Sequence, residues 1–353
     1  VRRLWQQEAA FKGAALYLML LLVLVLLLPW LPLSYAPNQL DLAHTLQAPF
    51  EGTATAAHWL GTDDLGRDVL SNILYGARTA FFISVPVMAL STLLGLVLGT
   101  SAGYFGAMGL RTSRKNLLLL VCTLLLLCYY GLYLPLQIQR LGLGVQMIFE
   151  SLSVCIVLPM LLYGILKALY PYTPFLRASV AVPVDPAVLR LTEALSTIPR
   201  FVLILVLASF LPPSVLLLSL IIVLTLWTGT ARLARAEMMR IKQLPYFEAA
   251  QSIGLNGRQL IWRQALPNLL GPVLVAFTFG LGGLLALEST LSFFNIGVPS
   301  TLVSWGRMIA KVRSNTSAWW LVVFPGAILS LTILALYTCN HYLSKIFQEK
   351  STG

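Results

Sequence analysis

Three carboxylates crowd into eight residues, Gly61-Thr62-Asp63-Asp64-Leu65-Gly66-Arg67-Asp68, and such a cluster is the first place to look for a hard cation. It lacks the alternating oxygen ligands and the distant Glu of a calcium loop. The stretch therefore reads as a capped turn leading into a helix. The three histidines, His44, His58 and His341, are scattered and make no H-E-x-x-H pair. Cys122, Cys128, Cys155 and Cys339 sit in apolar stretches without a C-x-x-C pair, as small buried hydrophobes do. No metal site and no catalytic constellation is expected. Neither G-x-x-x-x-G-K-S/T nor G-x-G-x-x-G occurs, so any ATP-driven process would need another subunit to hydrolyse the nucleotide.

Two carboxylates lie in or near the apolar runs. Glu150 stands at the start of one and reads as interfacial. Glu288 follows an uninterrupted apolar stretch, where an ionisable side chain faces a cavity or a partner rather than lipid. It is a candidate cavity-lining or gating group, with a structural carboxylate between helices as the competing reading.

The richest segment is polar and lies between two apolar runs, Ala231 to Asn268. Pro245 suits the first position of a short helix, which Tyr246-Phe247-Glu248-Ala249-Ala250-Gln251-Ser252-Ile253 continues until Gly254 offers a left-handed cap. Asn256 then caps a second helix, with Gln259 completing a capping box, and Pro267 marks the start of the next span. The product is a helix-Gly-helix elbow. Ala249 and Ala250 are small enough for a partner surface to come close, and Tyr246 and Phe247 supply aromatic anchors. On spacing alone, an ordinary amphipathic connector fits as well as a docking element.

The elements that hold these residues are set by composition. With 353 residues, 58% hydrophobic and 10% charged, and a mean hydropathy of +0.82, the chain is too apolar for a soluble enzyme or a disordered segment. Apolar runs fall at about Gly13–Pro32, Thr79–Tyr104, Asn116–Leu136, Met147–Leu166, Phe201–Ala231, Leu269–Leu287 and Trp319–Asn340. The fifth, about 46 Å as helix, overshoots an apolar core of about 30 Å. It contains Leu211-Pro212-Pro213-Ser214, so it divides into two helices, the first beginning near Val188.

Eight spans with both termini cytoplasmic result, and charge supports them: of 24 Lys and Arg, only Arg67, Arg78, Arg140, Arg307, Lys311 and Arg313 fall outside. A seven-span count would turn the basic loop Arg232–Arg263 outward, against the positive-inside rule. The net charge of +11 is thus a matter of topology, not of nucleic acid. Val69, Leu70, Ile73, Leu74 and Ala77 share one helical face, which reads as a helix lying on the outer interface.

Glu248-Ala249-Ala250-x-x-x-Gly254, followed by Leu266-Pro267, resembles the E-A-A loop of binding-protein-dependent ABC transporter permeases. One slot departs, Gln264 standing where that family favours Ile. The run from His58-Trp59-Leu60-Gly61-Thr62-Asp63 to Arg67-Asp68 is similar to the opening motif of the second-type permease in the dipeptide/oligopeptide branch. Ala102-Gly103-Tyr104-Phe105-Gly106, the stretch Leu287-Glu288-Ser289-Thr290-Leu291-Ser292, and Ser304-Trp305-Gly306 also match it. Between Ala107 and about Val184, where the family chain would pass almost directly to the next span, two extra apolar runs intervene.

The expected fold is therefore an all-α polytopic membrane helical bundle, a six-span permease core with an inserted two-span hairpin. Its parts are an N-terminal span and outer loop (1–57), a first core segment (58–106), the hairpin (107–184), a second core segment (185–345) with the coupling elbow at 245–266, and a tail (346–353). The resemblance implies a permease subunit of an ATP-driven importer for di/oligopeptides in the bacterial inner membrane. Its partners would be a homologous second permease, two ABC ATPases, an external solute-binding protein and membrane lipid. It would carry no cofactor itself, ATP and Mg residing on the ATPases. Tyr246, Phe247, Glu248, Ala249, Ala250 and Gly254 would couple to the ATPase, and Glu288 would line the translocation path or its gate. A permease for nickel or another small solute in the same branch is the alternative, and a membrane-embedded enzyme or lipid-handling scaffold the remote one.

Overall fold

The computed structural model is helical almost throughout, and it describes residues 8–51, 58–107, 109–142 and 144–352. Arg2 and Arg3, expected on the cytoplasmic side, lie outside those residues. The main elements are α1 Ala9–Leu27, α2 Val69–Phe105, β1 Leu110–Ser113, α3 Arg114–Leu126, α4 Leu134–Leu141, α5 Val145–Leu169, β2 Ser179–Val182, α6 Val184–Thr197, α7 Arg200–Ser209, α8 Val215–Lys242, α9 Pro245–Ser252, α10 Leu266–Phe293, α11 Trp305–Ala310 and α12 Trp320–Thr352. Seven helices among the described residues are long and apolar enough to cross a membrane, and a bent pair raises the count to eight. Helices are what these runs dictate, because backbone N–H and C=O groups in hydrocarbon must bond within their own segment. By contact the chain divides into two units, residues 1–104 with 188–353, and residues 105–187.

In the larger unit, α2 is a single helix of 37 residues. The interface-lying helix expected at Val69–Ala77 does not exist as a separate element. Those residues are the first turns of α2, with Val69, Ile73 and Ala77 buried alongside Ser71 and Asn72. The amphipathic pattern misleads because its polar face is covered too. Ser71 Oγ donates to the Tyr35 carbonyl at 3.0 Å and Asn72 Oδ1 accepts from the Asn38 N–H at 3.1 Å.

Farther along α2, Gly95, Gly99 and Gly103 recur every fourth residue against α8. A Cβ at Gly95 would lie 2.6 Å from the Trp227 carbonyl oxygen, one at Gly103 2.8 Å from that of Arg235, and one at Gly99 would overlap the Ala231 carbonyl. Lipid tails are as apolar as leucine, so close backbone packing of this kind holds helices together where burial alone does not.

The apolar run after Arg200 divides at Leu211–Ser214 as its prolines require. Upstream, the single helix expected from Val188 is instead α6 and α7, bent by 79°. Pro199 accounts for the bend: it disfavours helical geometry at Ile198 and caps α7 with an extended ψ of 124°. The next span also begins earlier than Pro267. A helical turn at Gly257–Gln259 and a π-turn at Leu260–Ala265 run straight into α10. Leu266 N–H reaches back to the Ile261 carbonyl, and this widened turn accommodates a proline ring that would otherwise strike the carbonyl four residues earlier.

The smaller unit is built from α3, α4 and α5 above a two-stranded antiparallel ribbon in which Leu110 pairs with Val182 and Ser113 with Ser179. A π-turn at Leu127–Tyr133 joins α3 to α4, and Ser151 Oγ donates to the Tyr130 carbonyl within it at 2.6 Å. Among the described residues of α3 and α5, only Ser151 is buried. Leu120, Leu125, Ile156 and Met160 point outward, an arrangement stable only in apolar surroundings.

Candidate functional site

The elbow is defined by backbone hydrogen bonds. Leu244 precedes α9 in an extended conformation and Pro245 opens the helix. At the other end Leu255 N–H bonds the Ala250 carbonyl at 3.3 Å and Gly254 N–H that of Gln251 at 3.0 Å, the paired bonds of a Schellman cap. Gly254 takes the left-handed φ of +85° that this cap requires. Asn256 and Gln259 then form the reciprocal capping box, Asn256 Oδ1 accepting from Gln259 N–H at 2.9 Å and Gln259 Oε1 from Asn256 N–H at 3.1 Å. Both caps close within six residues, so the bend is held by four specific bonds.

Beneath it, Met238, Ile241, Phe247, Ala250, Leu260 and Leu269 form one buried cluster. Phe247 and Ala250 thus turn inward and cannot anchor a partner. Fully burying a Phe contributes about 1.5–3 kcal/mol, which makes Phe247 a fixture of the elbow. The face left open carries Glu248, Ala249, Gly254 and Ile253, the last 80% exposed. Tyr246 is half-exposed, its hydroxyl accepting from Asn268 Nδ2 at 3.0 Å, and burial pushes its phenol up from the ordinary value. Trp262 and Arg258 add an exposed aromatic and a cation beside it. Neither was singled out by sequence, since an apolar residue open to solvent can be recognised only once its neighbours are known.

At the opposite end of α2, Trp305 Nε1 donates to the Ile73 carbonyl at 2.9 Å, and a Cβ at Gly76 would lie 2.7 Å from the Trp305 ring. Glu288 is buried here, 1% exposed, its Oε1 accepting from Ser292 at 2.8 Å and from Ser304 at 3.1 Å. The carboxylate therefore stitches α10 to the segment before α11, and the geometry favours the structural reading over an open cavity. Arg307 donates to the carbonyls of Val298, Pro299 and Leu302 at 2.6–2.9 Å. Burial draws its guanidinium down from its usual value, with Glu288 opposing. Lys311 bridges Asp63 and Asp64, and Arg313 stacks 4.2 Å over the Phe293 ring. Arg307, Lys311 and Arg313, three of the basic residues that the eight-span reading leaves outside, are thus committed to partners within the chain.

The Gly61–Asp68 stretch is a capped turn. Asp63 Oδ1 accepts from the N–H groups of Leu65 and Arg67 at 2.8 and 2.9 Å, and Asp68 Oδ2 caps α2 through Ser71 N–H at 2.7 Å. The fold brings His44 and His58 together beside Asp41, a meeting that their separation in sequence does not announce. Asp41 Oδ2 lies 2.9 Å from His44 Nδ1 and 3.6 Å from His58 Nε2. The His44 hydrogen bond, against some desolvation, holds the Asp41 carboxyl below its ordinary value.

Residues 175–349, which contain the elbow and Glu288, match the family described as binding-protein-dependent transport system inner membrane component. The chain belongs to this permease family. The permease is similar along nearly its whole length to several curated transport proteins. It is 24% identical over 341 residues to the probable D,D-dipeptide transport system permease protein DdpC of Escherichia coli, covering 96% of this chain and 87% of that protein. A putative peptide transport system permease protein of Brucella suis is 27% identical over 95% of this chain and 86% of its own. The dipeptide transport system permease protein DppC of Bacillus subtilis is 24% identical over 84% and 70%. The permease is thus a multi-pass membrane protein of a transport system, and the spacing of Gly95, Gly99 and Gly103 is a further sequence signal of how two of its spans meet.

Proposed function

We propose that this permease forms half of the translocation path of an ATP-driven importer for di- or oligopeptides in the bacterial inner membrane, with its elbow docked on an ATPase subunit. The observation that carries the reading is the elbow: a rigidly capped bend, filled from within by Phe247 and Ala250, with Glu248, Ala249, Ile253 and Gly254 presented outward. A connector that merely joined two spans would need neither double capping nor an exposed isoleucine at its tip. A second permease, two ATPases holding ATP and Mg, and an external solute-binding protein complete the assembly. The names of the similar proteins support peptide cargo. In this scheme the elbow lies on the cytoplasmic side with both termini. Glu288 pins the Trp305-bearing plug that closes the outer end of the path, and alternating access follows when ATPase closure shifts the elbow.

Ala249→Trp tests the reading because the position is exposed and the fold has no stake in it. The variant should insert at normal abundance, lose co-purification of the ATPases and abolish peptide uptake. Normal uptake with ATPases retained would reject docking at this face.

A further inference from the structure

We infer that Asp41, His44 and His58 form a zinc-binding site in the segment ahead of α2. One ligand atom from each residue lies within 4.8 Å of the other two, and Asp41 Oδ2 is 2.9 Å from His44 Nδ1 and 3.6 Å from His58 Nε2. Zinc bonds of about 2.0–2.2 Å in a tetrahedron place neighbouring ligand atoms about 3.3–3.4 Å apart. The two spacings to Asp41 bracket that value and the histidine pair lies within 4.8 Å, so a cation enters as the partly exposed His44 ring draws toward it.

The second observation is His58 itself. Its ring is 1% exposed, and its Nε2 has no hydrogen-bond partner among the described residues. Its other nitrogen, Nδ1, lies 3.0 Å from Asp68 Oδ1, and Tyr35 stacks on the ring at 4.1 Å. Asp68 thereby fixes the tautomer with the proton on Nδ1 and aims the Nε2 lone pair at the Asp41 carboxylate. Two acceptors facing each other across 3.6 Å repel unless a positive charge sits between them. A carboxylate orienting the outer nitrogen of a histidine whose inner nitrogen is free is the usual support for a metal-bound imidazole.

Two imidazoles and one carboxylate suit a borderline dication such as zinc better than calcium or magnesium, which take oxygen ligands. His44 and Asp41 are partly exposed, their side chains 39% and 27% accessible, so a water completes the fourth position from solvent. The bound ion would clamp the Asp41–His44 turn to the Asp68 cap at the start of α2.

The test uses the full chain purified in detergent, stripped with a chelator and dialysed against Zn2+, with bound metal counted by elemental analysis and affinity read by competition with a chromophoric chelator. Wild type is expected to hold one Zn2+ per chain, and the Co2+-loaded protein to show the intense visible absorption of four-coordinate cobalt. His44→Ala removes an exposed ligand without touching the buried ring and should lose the ion. Asp68→Asn keeps an acceptor for Ser71 but weakens orientation of the ring, and should bind about 10–100-fold more weakly. Absence of stoichiometric zinc on wild type, or equal affinity in His44→Ala, overturns the assignment. A His58 ring found doubly protonated by NMR at neutral pH in the presence of Zn2+ would likewise overturn it, identifying a proton rather than a metal as the charge between Asp41 and Asp68. None of these readouts depends on transport, so the site stands or falls apart from the coupling role of the elbow.

Discussion

Gly254 allows the backbone and partner contributions of the elbow to be measured separately. Its φ is +85°, yet a Cβ built there meets nothing of this chain within 4 Å. Gly254→Ala therefore changes only conformational preference, roughly 1–2 kcal/mol for a non-glycine residue in the left-handed region. Gly254→Asn tolerates that region better and should cost less, while Gly254→Asp shares the backbone behaviour of Asn and adds a charge. On a free surface the Asn and Asp variants would be indistinguishable. Buried against a partner without a counter-charge, the carboxylate costs about 3–5 kcal/mol, or two to more than three powers of ten in affinity. The assay compares chain abundance in membranes, ATPase recovered on purification, and peptide uptake. Abundance should stay near wild type in all three variants, because insertion depends on the apolar spans. ATPase recovery should be highest for Asn, somewhat lower for Ala and lost for Asp. If Asp behaves as Asn in recovery and uptake, Gly254 is not part of an interface and the elbow is not the coupling element.

A cysteine at Asn256 should resist an impermeant thiol reagent applied to intact cells and react after permeabilisation; labelling from outside would reverse the proposed orientation. Gly99→Leu drives a side chain into the Ala231 carbonyl and should cost at least the roughly 1–3 kcal/mol of an overpacked contact, seen as aggregation or a lowered melting temperature on detergent purification. Unchanged melting would show that α2 and α8 do not meet at this ladder. Arg307→Met strips the donor from three carbonyls and should destabilise by about 1–3 kcal/mol. A thermal shift no larger than that of an exposed-arginine control such as Arg258→Met would mean that Arg307 does not hold the 298–302 loop.

How far sequence reaches depends on the kind of constraint. The spans were legible because hydrocarbon admits few backbone solutions, and the caps at Gly254 and Asn256 were legible because each depends on local chemistry within six residues. Phe247 and Ala250 were misjudged as presenting residues for the opposite reason. Which face of an eight-residue helix is covered depends on α8 and α10, which lie outside it in sequence. The Val69–Ala77 face failed similarly, its polar side being covered by a segment some thirty residues upstream. The His44–His58 meeting was invisible because thirteen intervening residues hide any metal-ligand spacing, and only the fold closes the loop.

The glycine ladder has a mechanical consequence. α2 meets Trp305 near its start, at Ile73, and near its end lies Tyr104, whose carbonyl receives Lys242 Nζ at 2.9 Å and whose hydroxyl would stand 2.7 Å from a Cβ on Gly257. One continuous helix thus touches the Trp305 segment near one tip and the elbow near the other, while the ladder bolts its last third to the helix that leads into the elbow. Bending concentrates at Pro86, the proline within the helix, where the ladder of hydrogen bonds lacks a donor. Stiffness beyond Pro86 and compliance at it would make the two ends of α2 move as a couple, with the pivot set by one residue far from either.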